Sequence, residues 1–500
     1  MSKKIPLIVF PILTSLLLVL AYPKFDQGWL AWFALAPLSY YLLKAKRGRD
    51  AALGGLVCGA VFYAGILYWI YPTMRAGGVN PAVSALGLVL LALALSLEFV
   101  VISLFGYKLK KIGPLAWPYI FAAGWFVLEY GKVWLSREAV WFPWFMLGYT
   151  QWRYTALIQI ASVTGVYGLS AAVCFAGAVI GAAAASDASP ARRGLRLLPA
   201  LLLPAGLWYY GKTELVKAEA AVPLKTIPVA LLQPSIDQYA KWRESQADVI
   251  RTAIAGLLPQ AKGALAVWPE NALPCWVDEP ACAAWMRSAA ASSGAEGSVV
   301  GSVSQGGGKH VSAFLLGRDG AIKASYDKRQ LVPFGEYVPL RGLLGKFIAP
   351  VAELGEFEPG APYQPPLDFN GTRLGPAVCY ESIFPYLFAG DTAAGAQLFV
   401  NVTNDGWYLE TAAPYQHFVA NIFRAVENRR TVARAANNGI SAVIDPWGRV
   451  LASTRLNERA VLRAQAPVYD IQAVFPRRGQ WFALGAAMLA AAFLIAVLLV

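Results

Sequence analysis

Seven predominantly apolar stretches precede residue 212, and an eighth closes the chain. They cover about residues 5–22, 27–44, 51–71, 81–107, 114–131, 155–185 and 195–211, then 481–500. A helix needs roughly 20 mostly apolar residues to cross the hydrocarbon of a bilayer. The pattern therefore predicts an eight-helix membrane domain interrupted by one large water-exposed block. The overall composition, 57% hydrophobic over 500 residues, exceeds the apolar share of a soluble protein. The first 22 residues have the basic start and apolar run of a signal peptide. Tyr22-Pro23-Lys24 and a second apolar segment follow, with no small-residue cleavage site, so this stretch reads as a retained first helix.

Charge gives the orientation. One set of alternate loops carries Lys3, Lys4, Lys44, Lys46, Arg47, Arg49, Lys108, Lys110, Lys111, Arg192, Arg193 and Arg196. The other set carries Lys24, Arg75, Lys132, Arg137 and Arg153. The positive-inside rule puts the first set, and with it both termini, in the cytoplasm. The block from 212 to 480 then lies on the outer face. The formal charge of +13 reflects these loops and contact with anionic lipid. With no basic stripe interleaved with aromatics, nucleic acid is not an expected partner. The expected domains are a membrane domain over 1–211, a linker over 212–228, a catalytic domain over 229–470, and a second linker with the eighth helix over 471–500.

Within the apolar part, Glu98 and Glu129 are costly residues. Either they are functional, or Glu98 is paired or protonated and Glu129 is wetted near the outer end. The outer loop Val133–Trp152 holds Trp134, Trp141, Trp144 and Trp152. It reads as an aromatic belt or as a lipid-facing mouth. Cys58 and Cys174 lie in apolar segments, and whether Cys275 and Cys282 pair is open. Two histidines, His310 and His417, and no Cys/His cluster argue against a zinc site or a histidine-based triad. No metal or cofactor is expected.

From about 225 to 470 the pattern changes. Short apolar runs (IPVALLQ, GALAVW, GSVVGS, SAFLLG, LGPAVC, QLFVNVT, SAVID) alternate with helical patterns such as Glu244–Leu258 and Tyr415–Ala435. Alternation of this kind predicts an α/β domain with its sheets covered by helices. Residues 341–365 read as a long loop or lid.

Three reactive side chains stand at strand ends in this block. Glu270 follows a strand in AVWPENALP, Lys328 follows another in SYDKRQLVPFGEYVP, and Cys379 ends a third in LGPAVCYESIFP. A lone cysteine is ordinarily an inert small hydrophobe, and a lone Glu or Lys is ordinarily solvated. Strand ends of one α/β domain, however, converge at one edge, where such sheets place ligands. There a thiolate from Cys379 is the nucleophile, Glu270 the base, and Lys328, with a backbone N–H near Cys379, the stabiliser of an oxyanion.

WPENALP, the lysine of DKRQLVPFGEYVP and the CYES motif, in that order, resemble the Glu–Lys–Cys triad of the nitrilase (carbon–nitrogen hydrolase) superfamily. LLQPSID, VNVTNDGWY and RTVARAANNGIS also fit. With the membrane helices, the whole chain resembles the apolipoprotein N-acyltransferase family of the bacterial inner membrane. The resemblance implies an αββα sandwich on the periplasmic side of an eight-helix base, acting as a monomer. It implies ping-pong acyl transfer through a thioester on Cys379. The donor is a phospholipid, typically phosphatidylethanolamine, and the acceptor is the free α-amine of the diacylglyceryl-cysteine of an apolipoprotein. It makes Glu336 a second carboxylate that orients Lys328, and Tyr380 and Glu381 supporting residues beside the nucleophile. It places Trp242 near the substrate entrance, although a tryptophan on an outer domain also simply touches lipid. Two alternatives remain at this stage: a membrane-anchored hydrolase of small amides, and a transporter with an accessory outer domain.

Overall fold

The structure is a computed structural model of the chain and describes residues 8–138, 140–239, 244–339 and 357–499. It divides into two compact units, Met1–Ala220 with Arg478–Val500, and Ala221–Arg477. The expected linker over 212–228 is largely regular structure. The helix Pro190–Ala220 runs through its first half, and a strand begins at Lys225. Likewise, the helix expected from 481 already starts at Phe475.

In the first unit every apolar stretch carries helix. The longer ones are α1 (Val9–Ala21), α2 (Ala36–Lys44), α3 (Gly48–Ile66), α4 (Ile70–Ala76), α5 (Pro81–Leu109), α6 (Trp117–Glu138), α7 (Val166–Ala185) and α8 (Pro190–Ala220). Among the described residues, three helices are long and apolar enough to cross a membrane: Gly48–Ile66, Pro81–Ile112 and Val166–Ala185. The sixth predicted stretch is interrupted just before α7 at Gly165, whose φ of 70° and ψ of 178° suit glycine alone. Along α5, Leu86, Val89, Leu90, Leu93, Leu97 and Val101 are exposed, while Leu95, Phe99 and Ile102 are buried. An exposed apolar stripe of this length suits hydrocarbon better than water.

The charged residues of this unit have a specific task. Residues 141–146 belong to no helix or strand, yet Trp144, Phe145 and Met146 are buried. Irregular backbone away from water needs partners for its polar groups. Lys132 Nζ donates to the Phe145 carbonyl. The Leu147 N–H donates to Glu129 Oε1 at 2.7 Å, and Trp141 Nε1 donates to Glu98 Oε1 at 2.7 Å. Lys132 also pairs with Glu98 at 3.3 Å. Glu129, at 2% exposure, is therefore buried and bonded rather than wetted. Lys132, read from sequence as a loop residue, lies inside α6. Trp141, Trp144 and Trp152 are drawn into the unit, leaving Trp134 exposed, so the loop is mainly internal packing.

Among the described residues, the second unit contains two six-stranded sheets. Their strand orders are β12-β1-β2-β3-β4-β5 and β11-β10-β9-β8-β7-β6. The first is built from β1 (Lys225–Gln233), β2 (Leu265–Trp268), β3 (Gly297–Ser304), β4 (His310–Gly317), β5 (Ile322–Asp327) and β12 (Ala460–Val468). The second is built from β6 (Leu367–Phe369), β7 (Thr372–Val378), β8 (Leu398–Thr403), β9 (Thr431–Ala436), β10 (Ala442–Ile444) and β11 (Val450–Ser453). β1, β2 and β3 run parallel, as do β7, β8 and β9, with antiparallel strands at the margins. One core lies between the sheets, where Val229, Leu231, Val267 and Val299 meet Leu374, Val378, Val400 and Ala433. A second core joins Ala230, Ala266 and Val300 to α9 (Ala247–Leu257) and α10 (Pro280–Ser292). α11 (Pro385–Ala393) and α12 (Ala413–Asn428) belong to the other sheet's layer. The four layers match the αββα expectation. One element differs: the helical pattern read over Tyr415–Ala435 ends at Asn428. Arg429 turns left-handed, with φ 51°, and the chain enters β9.

Candidate active site

Glu270, Lys328 and Cys379 each follow a strand, and the fold brings them together. Glu270 comes two residues after β2. Its backbone lies directly on β3, where a Cβ at Gly301 would fall 2.7 Å from the Glu270 Cα, so only glycine fits there. Lys328 follows β5. Its N–H donates to the Val311 carbonyl at 2.8 Å, and its own carbonyl accepts from the Gly360 N–H at 2.8 Å. Cys379 follows β7 and opens a short turn, Cys379–Ile383. Its φ is +50°, a region that costs a non-glycine residue about 1–3 kcal/mol and that clusters at functional turns.

The three side chains are almost sealed from solvent: Lys328 is 0% exposed, Glu270 4% and Cys379 5%. Lys328 Nζ donates to Glu270 Oε1 at 3.4 Å and to Glu336 Oε1 at 2.5 Å. The second oxygen of Glu336 accepts the Val332 N–H at 2.8 Å, which fixes that carboxylate. Burial opposes the Lys328 charge, but Glu336, Glu270 and Cys379 more than compensate and hold its pKa above the ordinary lysine range. Burial pushes the Cys379 thiol well up, Glu270 adds to the rise, and Lys328 opposes it. The cysteine thus sits in the field of a carboxylate that disfavours its thiolate and a fixed cation that favours it. This arrangement suits nucleophilic attack with proton transfer to Glu270 and charge stabilisation by Lys328.

Glu381 joins the lysine and cysteine segments. Its Oε1 accepts from Tyr326 Oη at 2.8 Å and from the Arg329 N–H at 2.7 Å, and its Oε2 accepts the Val378 N–H at 2.7 Å. One buried carboxylate therefore ties the residue after Lys328 to the residue before Cys379. Tyr380 is 1% exposed and packs edge-on against Phe384 at 5.1 Å, supporting the turn. Trp242 and residues 341–356 of the expected loop or lid lie outside the described residues, and 357–365 belong to no helix or strand. Cys275 and Cys282 form a disulfide.

Sequence reading missed a further set. His417 in α12, Asp405 after β8 and Arg434 in β9 are buried together behind the cysteine turn. Their only signal was NDGWY and VARAA lying among the quoted motifs. Tyr408 also stands in the electrostatic field of Cys379 and Glu270; burial, then the Cys379 charge, push its phenol well above its usual range.

Residues 14–179 match the apolipoprotein N-acyltransferase N-terminal domain, and residues 228–474 match the carbon–nitrogen hydrolase family. An apolipoprotein N-acyltransferase of Geobacter metallireducens is 38% identical, over 96% of this chain and 94% of its own length. Another, from Methylococcus capsulatus, is 31% identical over 94% of this chain and 92% of its own. Among solved structures, a mutant amidase of the nitrilase superfamily from Nesterenkonia AN1 matches over 51% of this chain and 95% of its own. The identity there is 26% and the TM-score 0.37. With one part matching the apolipoprotein N-acyltransferase N-terminal domain, the other matching the carbon–nitrogen hydrolase family, and relatives aligned along nearly the whole length, the chain belongs to the apolipoprotein N-acyltransferase family.

Proposed function

We propose that the protein moves an acyl chain from a phospholipid, with phosphatidylethanolamine the expected donor, to the N-terminal amine of the diacylglyceryl-cysteine of an apolipoprotein. In the first half-reaction Cys379 Sγ attacks the donor ester carbonyl. The S–C bond forms and the ester C–O bond breaks. Glu270 takes the thiol proton and returns it to the oxygen of the departing lysophospholipid. In the second, the acceptor amine attacks the thioester. The N–C bond forms, the C–S bond breaks, and Glu270 carries the amine proton to the leaving thiolate. Lys328, oriented by Glu336, stabilises the oxyanion of both tetrahedral intermediates. Tyr380 and Glu381 support the turn that carries the nucleophile, and Trp242 belongs to the substrate entrance.

The observation that carries this reading is the buried Glu270–Lys328 pair gathered around a cysteine in a left-handed turn at the end of β7. Lipid substrates give a reason for joining such a site to apolar helices. The proposed setting is eight spans in the bacterial inner membrane, both termini cytoplasmic, the catalytic unit periplasmic, and the chain a monomer. A Cys275–Cys282 disulfide supports an oxidising compartment, since such bonds are rare in the cytosol. Purified protein should transfer a labelled acyl chain from phospholipid to a diacylglyceryl lipopeptide, and Cys379→Ala should transfer none. Hydrolysis of small amides with the label left in phospholipid would instead favour an amidase.

A further inference from the structure

Behind Cys379 stands a buried arrangement that the two half-reactions do not use. His417 Nδ1 lies 2.8 Å from Asp405 Oδ1. Its Nε2 lies 3.0 Å from Ser382 Oγ and 3.0 Å from the carbonyl oxygen of Cys379. Arg434 Nη2 donates to Asp405 Oδ2 at 2.7 Å, and Arg434 Nη1 donates to Asn401 Oδ1 at 2.8 Å. The fold makes room for the carboxylate: a Cβ at Gly439 would fall 2.0 Å from Asp405 Oδ2. The order Ser382–His417–Asp405 has the form of a hydrolase triad. Ser382, however, is 0% exposed, and the same ring nitrogen also faces a backbone carbonyl.

We propose that His417 is a positioning residue for the nucleophile, holding the Cys379 carbonyl and thereby the left-handed turn that aims the thiol at Glu270 and Lys328. The inference rests on the reading of Cys379 as the acyl carrier. The Cys379 carbonyl and the Tyr380 N–H belong to one planar peptide. Whatever fixes the carbonyl also fixes the direction of that N–H, the next backbone donor along the chain from the nucleophile. Glu381 anchors the chain before the cysteine through the Val378 N–H, and His417 anchors it after. Between the two anchors, the unfavourable φ of Cys379 cannot relax. Asp405 and Arg434 both lie against Nδ1 and set the ring's rotation, and Arg434 with Asn401 holds Asp405 in place, so the ring's position is inherited from β8, the parallel neighbour of β7, and from β9, the next parallel strand beyond it.

Three variants of the full chain in detergent, His417→Gln, His417→Asn and His417→Ala, test this. A glutamine amide N–H reaches the place of Nε2 and can hold the carbonyl; an asparagine amide reaches only the place of Nδ1. Thioester formation should slow about 10²-fold in the Ala and Asn variants, with KM for phospholipid unchanged, and stay within about tenfold of wild type in the Gln variant. Iodoacetamide labelling of Cys379 should follow the same order. Wild-type rates in His417→Ala, or Gln and Asn variants slowed equally, overturn the inference. A wild type that forms no thioester overturns the acyl-transfer reading itself. The labelling order then still decides about the turn: Gln above Asn and Ala supports it, and equal rates overturn it.

Discussion

Lys328 is held more closely by Glu336 than by Glu270: its ammonium lies 2.5 Å from Glu336 Oε1 and 3.4 Å from Glu270 Oε1. The shorter bond is to the carboxylate whose other oxygen is tied to the Val332 N–H. Glu336 therefore sets the lysine's position and leaves the longer contact to Glu270, the group proposed to exchange a proton with the thiol. Glu336→Gln keeps the shape and removes the charge. It should lower kcat about 10²-fold with KM for phospholipid little changed. Steady-state kinetics on the purified variant check this, and an effect confined to KM contradicts it.

The thiol's ionisation gives a second expectation. Burial, Glu270 and Asp405 push Cys379 up, and Lys328, with a smaller effect from the Thr403 hydroxyl, pulls it down. Lys328→Met removes that cation, so the thiolate fraction at any given pH falls. Iodoacetamide labelling of Cys379 should be slower than in wild type at every pH tested and should rise only at more alkaline pH. Labelling as fast as wild type would mean that the lysine does not act on the sulfur.

Glu381 receives donors from both sides of the site: Tyr326 Oη, the Arg329 N–H and the Val378 N–H. In Glu381→Gln one oxygen becomes an NH2, which faces a donor and leaves at least one buried N–H or O–H unpaired. An unpaired buried group costs about 1–3 kcal/mol. A lower denaturation midpoint, together with slower Cys379 labelling, is expected. An unchanged midpoint contradicts the assigned role.

Asp405 links the site to acid stability. Burial opposes its charge, but Arg434 and His417 more than offset this and hold its pKa below the ordinary carboxylate range. A depressed carboxylate contributes stability that is full above its unfolded value of about 3.9 and is lost as pH falls through the lower folded value. Wild type should therefore lose stability below about pH 4 more steeply than Asp405→Asn, whose side chain does not titrate. Denaturation midpoints measured against pH, with parallel curves for the two proteins, would contradict this.

Strands and site residues differ in how far they could be read from sequence. The apolar runs marked β1, β2, β3, β4, β7, β8 and β10, because a buried strand is a short apolar segment bounded by turn residues. Glu270 and Cys379 were legible because each is a reactive group following such a run, and Lys328 because it follows the strand-like stretch that forms β5. β9 was not, because TVARAA continues the apolar periodicity of α12. Only the left-handed Arg429, which sequence does not announce, separates the two. His417 and Arg434 were passed over because one histidine and one arginine in apolar surroundings have no pattern until their partners, 12 and 29 residues from them across Asp405, are in place. Glu98 and Lys132 show the same limit. They are 34 residues apart on different helices, and no spacing rule pairs them.

The most direct measurement of the central claim is the intact mass of the protein after incubation with phospholipid in the absence of acceptor. The wild type should gain the mass of one acyl chain. Peptide mapping should place it on Cys379, neutral hydroxylamine should remove it, and Cys379→Ser should gain no hydroxylamine-labile adduct. An acyl chain found on any other residue, or a wild type that turns phospholipid over without acquiring one, would contradict the account.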